Sequence, residues 1–404
     1  MTYDIFFSIS QTPVDGVTPS EQEMFANAFR QLEAADELGF GVAWFAESHL
    51  SSEVQKRNTR PVIPHWDGEV GLNANFLNMA THGFARTKNI EFGSAVMNIV
   101  CMGGPLAHAE RIATTLALHG LNPEESRRLH VGFSAGRFQF MNEATGIRPR
   151  DAVEAAAWPA LRGLVFKEAC EIFLRALRGD VFSSEHIPPT VLSRANFWTE
   201  EHWHQVQAAA ETQAPEIPIA PRWTFEDLEL VPRHWRRELL QLVVGSHDPR
   251  LQEHINTLLP VQVFNLSITD PAKIEDTHRR MQSGYHPDGG PWQRGHMPRT
   301  TFVFINELEA GPDAKRRAAR QEAEKALSAY WKALQGTIDP NKIANAADNA
   351  LVGDAEQIAA QIRERFHPED RLMLWFDFFN HDCDRVTRNM RDFMEKVVPL
   401  LDEG

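Results

Sequence analysis

Gly39-Phe40-Gly41-Val42-Ala43-Trp44-Phe45-Ala46-Glu47-Ser48-His49 carries an apolar run, Gly41 to Ala46, that opens on glycine and closes on an acid and a histidine. A short run that is apolar at successive positions suits a strand covered on both faces, as in a parallel sheet. Upstream, Thr18-Pro19-Ser20-Glu21 is a helix-start signal, followed by Phe25, Phe29, Leu32, Ala35 and Leu38 at helical spacing before Gly39. A second apolar run, Ile5 to Ser10, precedes that helix. The N-terminal region therefore reads as strand, helix, strand.

The same kind of run returns at Ile90 to Met97, Leu129 to Ser134, Leu240 to Gly245, Val261 to Ser267, Thr300 to Ile305 and Leu372 to Phe378. Helical patterns lie between them at Ala107 to His119, Ala160 to Leu177, Pro271 to Met281, Pro312 to Leu334 and Asp354 to Arg365, and Asp384 to Leu401 closes the chain. Eight strands alternating with helices predict an α/β fold, a (β/α)8 TIM barrel, whose chemistry sits in the loops after the strands. The 404 residues exceed the roughly 250 of a plain barrel. The excess is assigned to two stretches of one domain spanning 1–404. Residues 51–71 form a long loop after strand 2, placed to cover the mouth. Residues 180–238, rich in Pro and Trp, form a long insertion between strands 4 and 5 and the main candidate for substrate-specific structure.

Composition narrows the class of protein. A formal net charge of −14 disfavours nonspecific attraction to nucleic acid or an anionic membrane, and favours a cytoplasmic body. MTYDIFFSIS has an acid at Asp4 and no basic leader, which argues against a signal peptide. No apolar stretch of about 18 residues is present to span a bilayer. Cys101, Cys170 and Cys383 are odd in number and far apart, so neither a disulfide framework nor a structural zinc site is expected.

Several features become useful once the barrel puts them on one rim. Glu47 and His49 end the second strand, and a histidine there can donate a proton near neutral pH; a purely structural role is equally compatible with the residue types. Gly245, Ser246 and His247 end the fifth strand just before a helix, where free amides and the helix dipole favour a phosphate; a plain turn would use the same residues. Ser94 to Asn98 and Gly132 to Gly136 place small residues where a flat ring could approach the backbone. Asn98 offers a two-sided amide to such a ring. His202-Trp203-His204 and His381-Asp382-Cys383-Asp384 invite a metal reading, but histidines two apart diverge on a strand or a helix, and no metal is expected. No G-x-S-x-G or G-x-x-x-x-G-K-[ST] motif supports a serine hydrolase or a nucleotide triphosphatase.

The order of segments resembles the bacterial luciferase-like flavin monooxygenase family over nearly the whole chain. Gly39 to His49 is similar to that family's second-strand segment ending in Glu-His-His. Arg86 to Val96 is similar to its next strand, Pro105 to Arg111 to its Pro-x-x-x-Ala-Glu helix, and Arg128 to Gly136 to the strand after it. Val352 to Ile358 and Val397 to Leu401 match its closing motifs.

The resemblance implies an enzyme that binds reduced FMN and uses O2, through a flavin C4a-peroxide, to oxygenate a small organic substrate. It implies FMN phosphate near Gly245, Ser246 and His247, and the flavin ring near Asn98, Ser134 and Ala135. The family's first histidine is Ser48 here, so a catalytic role carries over only to His49. Ala135 stands where luciferase has an arginine, with Arg137 two residues on. Without a G-x-G-x-x-G fingerprint, reduced flavin is expected from a separate flavin reductase. A homodimer is implied by the family. Two alternatives share the fold: a deazaflavin-dependent hydride-transfer oxidoreductase, and a non-catalytic flavin-binding partner subunit.

Overall fold

The computed structural model describes residues 1–51, 68–136, 138–334 and 346–402. Each of the eight apolar runs becomes a strand of one curled, parallel sheet: β1 Thr2–Phe7, β2 Val42–Phe45, β3 Glu91–Ser94, then β4 Met97–Asn98, β5 Leu129–Ser134, and beyond them Leu240–Val244, Val261–Val263, Arg299–Ile305 and Arg371–Trp375. They pair in chain order, and the last returns to β1, with Ile5 opposite both Ala43 and Leu374. The sheet's remaining edges meet at Asn265, which bridges to Arg299. Asn265 donates its N–H to Pro298 O and accepts from Thr300 N–H, at 2.9 and 3.0 Å.

Alternation along these strands separates two apolar layers. Ile5, Phe7, Ala43 and Phe45 belong to the large core under the helices, whereas Phe6, Val42, Trp44, Val243 and Met373 form a second cluster inside the curl with Phe264. That is why the runs are apolar at successive positions. Full burial of each large side chain contributes about 1.5–3 kcal/mol. Trp44 lies across Gly93 on the neighbouring strand, its register partner, and a Cβ on Gly93 would run into the indole.

The interior is closed at the strands' starting ends by buried charge. Asp4, wholly buried, accepts from Val42 N–H at 3.1 Å, Trp44 Nε1–H at 2.7 Å and Arg371 Nε–H at 2.6 Å. Beside it, Glu91 accepts from His130 at 2.6 Å and Arg128 at 3.0 Å. Burial alone would raise the Glu91 pKa, but those two partners outweigh it and hold it at about 2. Burial lowers the pKa of His130, against the opposing hydrogen bond to Glu91.

Five elements depart from the sequence expectation. The run Ile90 to Met97 breaks at Ser94, and Met97–Asn98 forms a separate short strand on β5. The sixth run is regular only over Val261–Val263. Leu351–Gly353, read as the approach to a helix, is a further strand pairing with Val303 to Ile305. The helix expected from Ala160 starts earlier, as Ala152–Arg178 capped by Asp151, and continues through Pro159. The closing helix is Cys383–Asp392, a π-helical turn at Phe393–Val397, and Val398–Asp402.

Beyond Arg178 the chain forms an antiparallel pair, Thr190–Ser193 with Glu216–Ile219, around a helix at Glu200–Ala209. This region packs Leu192, Phe197, Trp203, Val206 and Ile217 against Trp158 and Leu161 of the long helix, as a satellite core. The loop expected over 51–71 falls mostly on 52–67, outside the described residues. No helix among the described residues is long and apolar enough to cross a membrane.

Asp4→Ala would leave Arg371, only 14% exposed, without its counter-charge. Breaking such a pair from one side costs about 3–5 kcal/mol. Equilibrium urea denaturation should show a loss of that size, and a loss below about 1 kcal/mol would contradict the role given to Asp4.

Candidate functional site

A cavity of about 790 Å3 opens at the C-terminal ends of the strands. Seven of the eight main strands or their following loops reach it, through Phe6, Glu47, Asn98, Ser134, Gly245, Phe264 and Trp375 among others. All of His49, Asn98, Ser134, Ala135, Gly245, Ser246 and His247 line it. The curl thus gathers into one space residues that lie up to two hundred positions apart in the chain.

His49 is fixed by its neighbour. Its Nε2 lies 3.1 Å from Glu47 Oε1, and Glu47 Oε2 accepts the Phe76 N–H at 2.9 Å, so the carboxylate is anchored to the start of helix Phe76–Phe84. Side-chain exposures of 5% and 3% leave the pair little freedom. Among the described residues the buried His49 Nδ1 has no partner. An oriented imidazole with one unused nitrogen is the arrangement a proton donor or acceptor needs.

Asn98 is less free than its sequence suggests. Its Nδ2 donates to Asn142 Oδ1 at 2.7 Å, and its Oδ1 accepts Val100 N–H at 3.2 Å. Asn142 in turn donates to Ala135 O at 3.0 Å. This network takes up part of the amide and leaves Asn98 one N–H and spare acceptor capacity. Gly136 sits at φ +75, and a Cβ there would strike the Asn98 amide. The glycine is what lets the loop after β5 close over Asn98.

After the strand Leu240–Val244, Ser246 Oγ accepts Asp248 N–H at 3.3 Å, and Ser246 O accepts Gln252 Nε2–H at 2.6 Å. Helix Pro249–Ile255 is capped by Asp248, whose carboxylate takes the Arg250 N–H. The amides expected to be free for an anion are therefore partly occupied by an acid. Gly245, exposed, and the Ser246 hydroxyl remain at the rim, with the Lys273 ammonium also lining the cavity.

Asp377 lines the same cavity and was missed in the sequence, where it stands as one acid inside the apolar run Leu372 to Phe378. Burial pushes its pKa up to about 7, opposed by a bond from Trp375. Among the described residues its buried Oδ1 has no hydrogen-bond partner. Trp375 packs on Phe6 at 4.6 Å between ring centroids, so the carboxyl sits against an aromatic wall. The 180–238 excursion, expected to carry substrate-specific structure, contributes none of the described lining residues. Of its tryptophans, Trp203 belongs to the satellite core, Trp223 and Trp235 pack against the main core, and Trp198 faces solvent. Among the described residues no group of three or more His, Cys, Asp or Glu is placed to hold a metal ion.

A monooxygenase, RslO1 from Streptomyces bottropensis, superposes with a TM-score of 0.66 at 18% identity, covering 99% of both chains. The oxygenating constituent of 3,6-diketocamphane monooxygenase from Pseudomonas putida, solved with FMN, gives 0.58 at 14% identity over 99% of this chain and 98% of that one. An F420-dependent secondary alcohol dehydrogenase, solved with an F420-acetone adduct, gives 0.57 at 14% identity over the same shares. These likenesses show a shared fold. In sequence, y4vJ, an uncharacterised protein of Sinorhizobium fredii, is 25% identical over 182 residues, 44% of this chain and 42% of that protein's length. Residues 1–219, more than half of the 404, match the model of the luciferase-like monooxygenases, and the chain belongs to that family.

Proposed function

We propose that the chain is a flavin-dependent monooxygenase that takes reduced FMN and O2 and oxygenates a small organic substrate in the strand-end cavity. The observation that carries this reading is the convergence of His49, Asn98, Ser134, Ala135, Gly245 and Ser246 on one space. The slot suits a flat ring. Ala95, Ala135, Gly136 and Gly245 keep one wall low, while Phe6, Phe264 and Trp375 supply apolar surface. Ser246 and Lys273 stand where a phosphate would end, and Asn98 retains one N–H for the ring edge. Bound flavin supplies the activation of dioxygen, with one oxygen atom passing to substrate and the other leaving as water.

The chain's own residues do the rest. The aromatic wall excludes water from the reacting region. Glu47 holds His49 so that the imidazole can give or take a proton at Nδ1. Asp377, half ionised near neutrality, accepts a hydrogen bond or a proton from substrate. Reduced flavin comes from a separate reductase, and a homodimer is part of the same family reading. The domain is a (β/α)8 barrel in which 180–238 is an insertion between the fourth and fifth strands.

Three measurements test this. The purified chain, supplied with FMN and an independent flavin reductase, is expected to bind FMN and consume O2 in step with product; preference for a deazaflavin with hydride transfer and no O2 uptake would overturn the monooxygenase reading. His49→Gln should lower kcat by about 10²- to 10⁴-fold with FMN affinity nearly unchanged, whereas unaltered kcat would remove His49 from the chemistry. Because the active form of Asp377 is the carboxylate, kcat/KM should rise as pH climbs through about 7, and this limb should vanish in Asp377→Asn. Persistence of the limb in that variant would assign it to another group.

A further inference from the structure

A second cavity, of about 310 Å3, lies between the loop after β5 and the long helix Ala152–Arg178. It shares Ala135, Gly136 and Phe166 with the main cavity, so the two chambers meet at one wall. Among the described residues its remaining lining is largely apolar, with Ile147, Trp158 and Val165, and one cation, Arg162.

Two features show that this space is kept open. Pro159 and Gly163, one turn apart on the long helix, both line it, and these are the two residue types a helix interior tolerates least. A Cβ built on Gly163 meets nothing within 4 Å. Both positions are exposed, and at Gly163 the helix leaves open space beside the chamber. The polar groups are also unbalanced. Among the described residues Arg162 has no carboxylate partner, and the indole N–H of Trp158, a residue 8% exposed, has no acceptor. The nearby amides are committed: Gln139 donates to Glu143, and Asn142 bonds Asn98 and Ala135 O.

We infer that the second chamber holds the far end of an elongated amphipathic substrate, its apolar body passing Phe166 and a terminal carboxylate meeting Arg162, while the near end lies in the main cavity. The inference rests on the reading of the main cavity as the site of reaction. It assigns the substrate class to the loop after β5 and the long helix, rather than to the 180–238 excursion.

The probe is dodecanoate, with 1-dodecanol and FMN as controls, titrated calorimetrically into the full chain. Gly163→Leu fills the chamber from a position where its Cβ is unopposed, and should weaken dodecanoate and dodecanol by tenfold or more. Gly163→Ala, which fills little, should bind as the wild type does and retain its Tm. Arg162 is exposed, so its pairing is screened. Arg162→Gln should weaken dodecanoate only two- to fivefold, at low salt, and leave dodecanol unchanged. FMN affinity should be the same in every variant. Absence of dodecanoate binding to the wild type, or binding indifferent to Gly163→Leu, would overturn the chamber's role. Loss of FMN affinity in Gly163→Leu or Arg162→Gln would assign the chamber to the cofactor instead. Failure of the main-cavity reading would show separately, as a wild type that does not bind FMN.

Discussion

The fold depends on how the inside of the curled sheet is filled at its starting ends. Asp4 accepts hydrogen bonds from β2 and from Arg371 on the last strand, joining three neighbouring strands at one buried carboxylate. By holding the Trp44 indole it also sets the layer above, in which Trp44, Phe6 and Phe264 pack together. That aromatic layer is where the packed interior ends and the cavity begins, since Phe6 and Phe264 also line the cavity. A wide sheet built from apolar strands has to put something inside, and here a charged plug with an aromatic lid leaves only one end open.

Placement of the site follows from that closure. With the starting ends sealed, side chains reach a common space only at the strands' far ends, where irregular backbone can present them. The polar groups there are mostly held by one another: Glu47 by His49 and Phe76 N, Asn98 by Asn142 and Val100 N, Asp248 by Arg250 N. Among the described residues, His49 Nδ1 and Asp377 Oδ1 are buried there without such a partner, and a bound molecule can complete their hydrogen bonding.

Much of this was legible in the sequence because double burial leaves a plain mark: eight largely apolar runs mark all eight main strands. What stayed hidden has local physical causes. Leu351–Gly353 is too short to show a period. Pro159 argues for a helix boundary, yet Trp158, Leu161 and Val165 pack into the satellite core on both sides of it and carry the helix through. The Trp-rich excursion resembled a substrate wall, since aromatic residues line both cavities and cores; Trp203 is a core residue, and only three-dimensional placement separates the two. Asp377 was masked by the apolar run containing it. Its elevated pKa comes from burial, which no residue type announces. The candidate residues themselves were found from strand-end position, while the hydrogen bonds that commit Asn98 and cap the helix at Asp248 were not.

A structure of the chain crystallised with FMN tests the central claim most directly. The account requires the ring to lie in the strand-end cavity beside Ala135 and Asn98, with its phosphate at Ser246. Flavin bound elsewhere on the protein, or a cavity that stays free of it at saturating FMN, would contradict the account.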